Sequence, residues 1–367
     1  MTGAIWDSIV VGQGLAGTTL AWHLMATGQR VLVIDAETPV TSSKIAAGLI
    51  TPITGQRLAL SWRNDEFHPV AQHFYAGIEQ RTRSRFFHSR RAVRLFSSEA
   101  EQQTWAKRLQ QPGYQAHLLE PQPAPLLTSD IADTSTGGFA MHAAQLDVGT
   151  YLSASRTAFA AAGAYAALTL DWQRDIRFGA GPVEVQQHRT RRLISCEGYA
   201  AKQNPYFAHV PFNAAKGDIL TVRFHQPMPQ HSLHRDLWVA PTADPAVFRV
   251  GSSYNWTELD TIPDPTARQQ LERKLQAFVH VPYDVIDHQA AVRPIIHLSE
   301  AVIGLHPQHE QLGYFNGLGS KGALHAPWYA RCFTAFLTHG TALPDGLNVR
   351  KFNIHGRLSE ADHAARH

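Results

Sequence analysis

The stretch Ile9-Val10-Val11-Gly12-Gln13-Gly14-Leu15-Ala16-Gly17 decides the fold of this chain. It joins a short apolar strand to residues 15–27, whose apolar side chains have helical spacing and are followed by Gly28. A second apolar run, Val31–Ile34, comes next and ends at Asp35. Strand, glycine-rich turn, helix and buried strand in this order predict a βαβ unit, and therefore an α/β fold with a parallel sheet.

The spacing of the three glycines indicates what this unit binds. Gly12 permits the tight turn, Gly14 lets a diphosphate approach the backbone, and Gly17 lets the helix pack closely on the strands. The unpaired N–H groups at the helix N-terminus favour phosphate, and the carboxylate of Asp35 suits ribose hydroxyls. We therefore predict dinucleotide binding. The predicted contacts in this unit are Gly12, Gly14, Leu15, Ala16, Gly17, Asp35 and Ala36.

Composition narrows the class of protein. The chain has 367 residues, which at roughly 150 residues per domain suggests about two domains. Hydrophobic residues make up 44% and charged residues 17%, as in globular proteins. The net charge of +3 is too small to indicate a nucleic-acid partner, and two cysteines exclude a disulfide scaffold. Since no segment has the apolar length of a membrane span, we expect a cytoplasmic protein with no membrane partner. The two cysteines and the paired histidines form no metal-ligand pattern, so we expect no metal site.

The segment after the second strand distinguishes between dinucleotides. Residues 42–50 run from polar through small to apolar side chains, which suits a flavin ring better than a nicotinamide. This segment resembles the corresponding loop of the D-amino acid oxidase and glycine oxidase family, whose members bind FAD. Residues 192–199 and the glycine-rich residues 317–327 are similar to further family segments in the same order. The further FAD contacts that the resemblance implies are Ser42, Ser43, Ala46, Ala47, Gly48, Leu49, Gly198, Gly317, Gly319, Ser320, Lys321, Gly322 and Ala323.

The resemblance also implies the architecture. A Rossmann-like FAD domain of the glutathione-reductase type is expected to interleave with an α+β substrate domain built on an antiparallel sheet. The FAD domain would take residues 1–80, 143–205 and 293–345, and the substrate domain residues 81–142 and 206–292. Residues 346–367 would form a tail. Among smaller elements, we expect a helix from Gln145 to near Gly163, a loop over Pro121–Pro125, a helix over Ala267–Phe278, and Pro327 in the first turn of the last helix.

The family chemistry implies roles for four side chains. Family members transfer a hydride to flavin N5 from a carbon next to an amine nitrogen, and the resulting imine hydrolyses. Arg293 would bind a substrate carboxylate, and Lys321 would add positive charge beside the flavin or lie solvated at the edge. Trp238 and Tyr254 would contact substrate, and with Trp256 they could line a larger pocket. The alternative is that all three belong to the core, which is commoner for aromatic residues in strands. Trp238 and Ser320 replace a tyrosine and an arginine of glycine oxidase, which favours a bulkier, modified or less anionic amine.

Three functions remain open on the sequence. An FAD-dependent amine or amino-acid oxidoreductase leads, with a small-molecule amine as substrate and oxygen or another electron acceptor. An enzyme acting on a carboxymethylaminomethyl group of tRNA is the second, because residues 317–322 are similar to that enzyme's glycine-rich loop. A flavin-binding subunit without its own activity is the third. The basic run Arg81–Arg94 is expected to be a solvated face, and it is the one patch suited to RNA or an acidic partner.

Overall fold

The computed structural model describes residues 5–119, 131–179, 181–297, 301–344 and 346–352. The predicted loop over Pro121–Pro125 and most of the predicted tail lie outside these residues. The helices are α1 Leu15–Ala26, α2 Ser42–Ile45, α3 Asn64–Thr82, α4 Glu99–Leu109, α5 Val148–Ala161, α6 Pro265–Gln276 and α7 Gly322–His339. The strands are β1 Trp6–Val11, β2 Val31–Asp35, β3 Leu49–Ile50, β4 Ile53–Thr54, β5 Ala59–Leu60, β6 Phe87–Leu95, β7 Gly138–Leu146, β8 Tyr165–Ala167, β9 Ile176–Arg177, β10 Val183–Val185, β11 His188–Ser195, β12 Ala215–Phe224, β13 Ser232–His234, β14 Trp238–Pro241, β15 Val247–Gly251, β16 Tyr283–Arg293, β17 Val302–Leu305 and β18 Leu312–Asn316.

The predicted parallel sheet is confirmed. Its strand order is β17-β18-β11-β1-β2-β8, and β1 pairs in parallel with both β2 and β11. The edge strand β17 pairs antiparallel with β18, and the antiparallel strands β10 and β9 branch from the start of β11, outside this order. Because β1 leads to β2 on one side and lies beside β11 on the other, the strand order reverses at β1. The carboxyl ends of these three strands meet there, which is where open α/β sheets bind ligands.

Both faces of this sheet are buried, as its apolar strands predict. Val10 and Val33 pack into a cluster with α1, α3, α5 and α7, whereas Ile9 and Leu32 belong to a second cluster on the opposite face. Successive strand residues point to opposite faces, so one continuous apolar run supplies two cores.

The predicted antiparallel sheet is also confirmed, with one exception in its pairing. Its order is β16-β12-β15-β14-β13-β6-β7-β3, and every pair is antiparallel apart from β13 with β6. One face packs on α6 through Leu220, Phe248 and Leu271, and the other face packs on Ile45 of α2. The strands of the parallel sheet come from residues 6–35, 165–195 and 302–316. The domain boundaries themselves stay a prediction.

Two predicted helix starts are wrong. Gln145 and Leu146 are the last residues of β7, and α5 begins only at Val148, after Asp147 caps it by accepting the N–H of Thr150 at 3.1 Å. An aspartate at this position ends the strand and starts the helix in one step. The last helix begins at Gly322 rather than at Pro327.

Pro327 lies inside α7 because another group replaces the hydrogen bond that proline cannot donate. A residue at this position would normally donate its N–H to the carbonyl oxygen of Ala323. That oxygen instead accepts a hydrogen bond of 2.9 Å from the hydroxyl of Tyr75 on α3. A buried tyrosine of another helix therefore keeps α7 continuous through a proline.

Within the described residues, none of the helices combines the length and the apolar character needed to cross a lipid bilayer.

The core of the antiparallel sheet gives a prediction about stability. Phe248 is 0% exposed and packs edge-on against Phe224, with ring centroids 5.4 Å apart. We expect Phe248→Ala to lower the free energy of unfolding by about 3–5 kcal/mol, because it leaves a cavity. Ile286→Ala, at a position 50% exposed, should cost less than about 0.5 kcal/mol. Urea denaturation measures both variants. If Phe248→Ala and Ile286→Ala shifted the unfolding midpoint equally, this account of the core would be wrong.

Candidate active site

The turn between β1 and α1 lies where three parallel strands end. Gly12 has φ +102° and donates its N–H to the carbonyl oxygen of Ile34 at 2.8 Å. A Cβ on Gly12 would come within 2.6 Å of the carbonyl oxygen of Cys196, and a Cβ on Gly17 would overlap the carbonyl oxygen of Gly12. Both positions therefore require glycine, and α1 starts directly at the carboxyl edge of the sheet.

Ser43 brings the second predicted segment to the start of α1. Its Oγ accepts the N–H of Leu15 at 3.1 Å, and a Cβ on Gly14 would lie 3.0 Å from the same oxygen. Ser42–Ile45 form a one-turn helix whose N-cap is Thr41, rather than a loop. The unpaired N–H groups of α1 and two serine hydroxyls consequently face one space, an arrangement suited to phosphate.

Asp35 lies on the opposite side of this turn. Its Oδ2 accepts the backbone N–H of Gln13 at 2.6 Å, and its Oδ1 accepts that of Glu37 at 2.8 Å. The side chain of Glu37 accepts hydrogen bonds from Arg156 and Tyr165 at 3.2 and 3.0 Å. The carboxylate of Asp35 is thus held in place by backbone donors, with lone pairs left for hydroxyl groups.

A cavity of about 1570 Å³ runs from this turn to the antiparallel sheet. It exceeds the range of roughly 300–1,000 Å³ that is typical for one small molecule, so it has room for a dinucleotide and a substrate. Of the residues predicted to contact the cofactor, those that line the cavity are Gly12, Gly14, Leu15, Ala16, Asp35, Ala36, Ser42, Ser43, Ala46, Ala47, Gly48, Leu49, Gly198, Gly319, Ser320, Lys321, Gly322 and Ala323.

Gly17 and Gly317 are the two predicted contacts that lie behind the cavity wall. Gly17 packs on Gly12, as described above. Gly317 has φ +85°, and a Cβ there would come within 2.6 Å of the side chain of Ile296. Both glycines therefore serve close packing of the backbone behind the wall.

Arg293 ends β16 in the wall formed by the antiparallel sheet. Its guanidinium donates to the carbonyl oxygens of Lys216 at 3.3 Å and Ser253 at 3.2 Å, and it lies over the ring of Tyr254, 4.2 Å from the centroid. Gly217 leaves the space in which it sits. Burial lowers the pKa of Arg293. No carboxylate among the described residues forms an ion pair with it, so a half-buried cation lines the cavity without an anionic partner.

Aromatic side chains flank Arg293. Trp238 of β14 lines the cavity and packs on Gly251, where a Cβ would lie 2.6 Å from the indole. Tyr254 also lines the cavity and is 53% exposed, and its ring stacks on Trp256 with centroids 5.9 Å apart. Trp256 is 52% exposed and does not line the cavity. The expectation that Tyr254 and Trp256 belong to the core is therefore wrong.

Lys321 caps the start of α7 at the cavity wall. Its Nζ donates to the Oγ of Ser61 at 2.9 Å, and both residues line the cavity. Residues 322–324, in the first turn of α7, also line the cavity. Positive charge from the side chain and from the helix N-terminus is thus concentrated at one point of the cavity.

The comparison with protein families decides the identity of this arrangement. The model of the DAO family, described as FAD dependent oxidoreductase, matches residues 7–336. The chain belongs to this family. It is an FAD-dependent oxidoreductase.

Individual relatives agree with this assignment. The uncharacterized oxidoreductase YurR of Bacillus subtilis (strain 168) is 43% identical over 64 residues, which are 17% of this chain and 16% of that protein. Glycine oxidase from Geobacillus kaustophilus has a TM-score of 0.76 at 15% identity, covering 96% of this chain and 99% of its own. Iminodiacetate oxidase from Chelativorans sp. BNC1 has a TM-score of 0.74 at 14% identity, covering 95% and 98%. At these identities the two structures show that the fold is shared.

The residues of the oxidoreductase fit FAD. The backbone at Gly12 and Gly14 has no side chain to keep a diphosphate away, and the start of α1 offers donors to it. Asp35 retains acceptor capacity for ribose hydroxyls. Residues 46–49 line the cavity with small and apolar side chains, as a ring system requires.

Ser61 and Arg94 are among the residues of the cavity wall that sequence reasoning missed. Ser61 carries no motif, and its contact with Lys321 joins residues 260 positions apart. Arg94 belongs to the basic run that we expected to be a solvated face. Its side chain is 11% exposed, forms an ion pair with Glu101 and lines the cavity, so the expectation is wrong for this residue. The exposed arginines of the run are Arg81, Arg83, Arg85 and Arg91.

Substitution of Gly12 tests the cofactor turn. We expect Gly12→Ala to lose bound FAD by tenfold or more, because its Cβ collides with a backbone carbonyl in the cavity wall. Gly28→Ala is the matched control: φ is +83°, but nothing lies within 4 Å of the added Cβ. It should cost about 1–2 kcal/mol of stability and keep FAD. Flavin absorbance per chain measures both, and full occupancy in Gly12→Ala would contradict this role.

His325, one turn into α7, is buried and neutral. It is 3% exposed and packs edge-on against Phe67, with ring centroids 5.0 Å apart. Burial lowers the pKa of His325 to about 3, and the positive charge of Lys321 acts in the same direction. Since the unfolded chain protonates this imidazole near pH 6.5, the unfolded state binds more protons between these two values.

This difference predicts an acid sensitivity. The neutral His325 contributes stability that is fully present above pH 6.5 and declines as the pH falls towards 3. His325→Phe keeps an aromatic ring and removes the titration, so its melting temperature should fall less steeply than that of the wild type between pH 6.5 and pH 4.5. Parallel melting curves across this range would exclude His325 as a contributor.

Proposed function

We propose that this enzyme oxidises the C–H bond next to the nitrogen of an amine that carries a carboxylate, such as an amino acid or an N-substituted amino acid. The observation that carries the proposal is Arg293, a half-buried guanidinium in the cavity wall without a carboxylate partner among the described residues. A buried cation of this kind is costly unless a ligand supplies the counter-charge. A planar guanidinium suits a carboxylate because it donates two parallel hydrogen bonds.

The chain's own residues orient the substrate in this proposal. Bound FAD supplies a two-electron oxidant for the C–H bond next to the amine nitrogen. Arg293 binds the carboxylate, and Trp238 and Tyr254 limit the positions open to the rest of the molecule. Loss of hydride from that carbon, while the nitrogen lone pair forms the C=N bond, gives an iminium ion, the protonated form of the imine, which water hydrolyses. The amine must therefore bind unprotonated, and no separate general base is required.

Lys321 has a supporting electrostatic role in the proposal. Its ammonium group and the N-terminus of α7 place positive charge at the cavity, which favours an electron-rich bound group. The hydrogen bond to Ser61 fixes the direction of the side chain. This arrangement supports the first of the two roles considered for Lys321, since the side chain is not at a solvated edge.

The structural relatives support the substrate class without specifying it. Glycine oxidase and iminodiacetate oxidase, by their names, act on amines that carry carboxylates. The aromatic side chains of Trp238 and Tyr254 beside Arg293 suggest a substrate bulkier than glycine. Oxygen or another electron acceptor completes the reaction in this proposal.

Anaerobic bleaching of the flavin tests the proposal directly. The purified enzyme should be yellow, and a screen of amino acids and N-alkyl amino acids should find one that bleaches it. Arg293→Ala should weaken the binding of that substrate about 100-fold, since a bidentate charged pair contributes roughly 3 kcal/mol to the binding free energy. Arg223→Ala, in an exposed ion pair with Asp244, is the control and should leave the affinity unchanged. Equal affinities in Arg293→Ala and wild type would remove Arg293 from the site.

A further inference from the structure

The loop formed by residues 252–264, between β15 and α6, supplies much of the environment of Arg293. The carbonyl oxygen of Ser253 accepts from the guanidinium, and the ring of Tyr254 lies against its face. The direction in which Arg293 presents its remaining donors therefore depends on where this loop is held. We call residues 252–264 the arginine loop.

Asp218 holds the arginine loop at both ends. Its Oδ2 accepts the hydroxyl of Ser253 at 2.7 Å, and its Oδ1 accepts the backbone N–H of Asp264 at 2.9 Å. The N–H of Asp218 donates to the same serine Oγ at 2.8 Å. His288 of β16 adds a contact of 3.0 Å from its Nε2 to Oδ1. Asp218 is 1% exposed, so these groups replace its hydration.

Lys216 holds the middle of the loop. Its Nζ forms an ion pair of 2.6 Å with Oδ1 of Asp260, and its backbone N–H and C=O pair with those of Asn255 at 2.8 and 3.0 Å. The side chain of Lys216 is 3% exposed, whereas that of Asp260 is 48% exposed. A buried ammonium group needs its partner, so this pair ties an exposed part of the loop to a central strand.

Neither Lys216 nor Asp218 lines the cavity. They flank Gly217, and successive residues of a strand point to opposite faces of the sheet. Gly217 therefore lies under the guanidinium on the cavity side, while the two charged side chains lie on the other side, where the loop wraps round.

We propose that Lys216 and Asp260 are positioning residues: their ion pair, together with the hydrogen bonds that Asp218 accepts, fixes the arginine loop so that Arg293 presents a carboxylate-binding edge to the cavity. The proposal rests on the function proposed above. In this arrangement Lys216 and Asp218 do not line the cavity, and Asp260, which does, acts through its ion pair with Lys216. Their effect reaches the reaction through the carbonyl oxygen of Ser253 and the ring of Tyr254.

Two variants with a matched control test the proposal on the FAD-loaded enzyme. Asp260→Asn removes the negative charge from the pair, and Lys216→Met/Asp260→Leu removes both charges without leaving a buried ammonium group. Asp244→Asn is the control, because Asp244 is 47% exposed and also forms an ion pair, with Arg223, outside the arginine loop. In hydrogen exchange, the backbone amide protons of Asn255 and Asp264 should exchange at least tenfold faster in both loop variants than in the wild type. In the control their exchange rates should match those of the wild type.

Ligand binding provides the second measurement. N-methylglycine and N-methylglycinamide differ in the carboxylate, and anaerobic titration of the flavin spectrum gives the Kd of each. In both loop variants we expect the Kd of the acid to rise tenfold or more, the Kd of the amide to change less than threefold, and the rate of bleaching at saturation to stay within threefold. A merely structural defect would weaken acid and amide equally, which would overturn the proposal.

The exchange experiment requires no substrate and therefore separates the two proposals. Unchanged exchange in the arginine loop of both variants overturns the positioning role, whichever amine the enzyme oxidises. Failure of every amine to bleach the wild-type flavin overturns the proposed function, and the role assigned to Lys216 and Asp260 in carboxylate binding falls with it.

Discussion

The carbonyl oxygen of Gly12 lies so close to helix α1 that only glycine fits opposite it, at position 17. This contact sets the distance between the helix and the carboxyl edge of the parallel sheet. On the other side, Gly12 lies against the backbone of Cys196 at the end of β11, which fixes three elements at one point. The N-terminus of α1 then faces the space beyond the strands, and every other part of the cavity is arranged around it.

Residues 46–48 connect this part of the cavity to the antiparallel sheet. Three successive carbonyl oxygens of residues 46–48 accept hydrogen bonds from that sheet: Ala46 from Arg249 at 2.9 Å, Ala47 from Gln145 at 3.0 Å, and Gly48 from the N–H of Leu146 at 2.9 Å. The segment has small side chains, so its backbone rather than its surface makes the contacts. The same residues line the cavity, which means that this part of its wall is held by polar groups from the opposite sheet.

The sequence was informative where the chemistry is local. The glycines at 12, 14 and 17 and the acid at 35 belong to one βαβ unit, and each is placed by its neighbours in the chain, so the fold and dinucleotide binding could be predicted. The choice of FAD depended on residues 42–50 and on the family resemblance. Ser61 and Arg94 could not be predicted as part of the cavity wall. Ser61 contacts Lys321, 260 positions away, and no local pattern places Arg94 beside the cavity, so only tertiary packing brings these residues to the wall. Gln145 was misread as the start of a helix because its strand continues directly into the cap of α5.

The segment Lys216-Gly217-Asp218 shows how a conflict with local rules marks a functional place. A lysine and an aspartate on either side of a glycine are unfavourable in a central strand, because burying charged side chains is costly and glycine weakens strands. All three residues are nevertheless buried in β12. The period of two resolves the conflict, because it separates the glycine that makes room for Arg293 from the charges that hold the arginine loop. A shift of one residue in the register would exchange the two faces and place both charges under the guanidinium, so the strand admits one register.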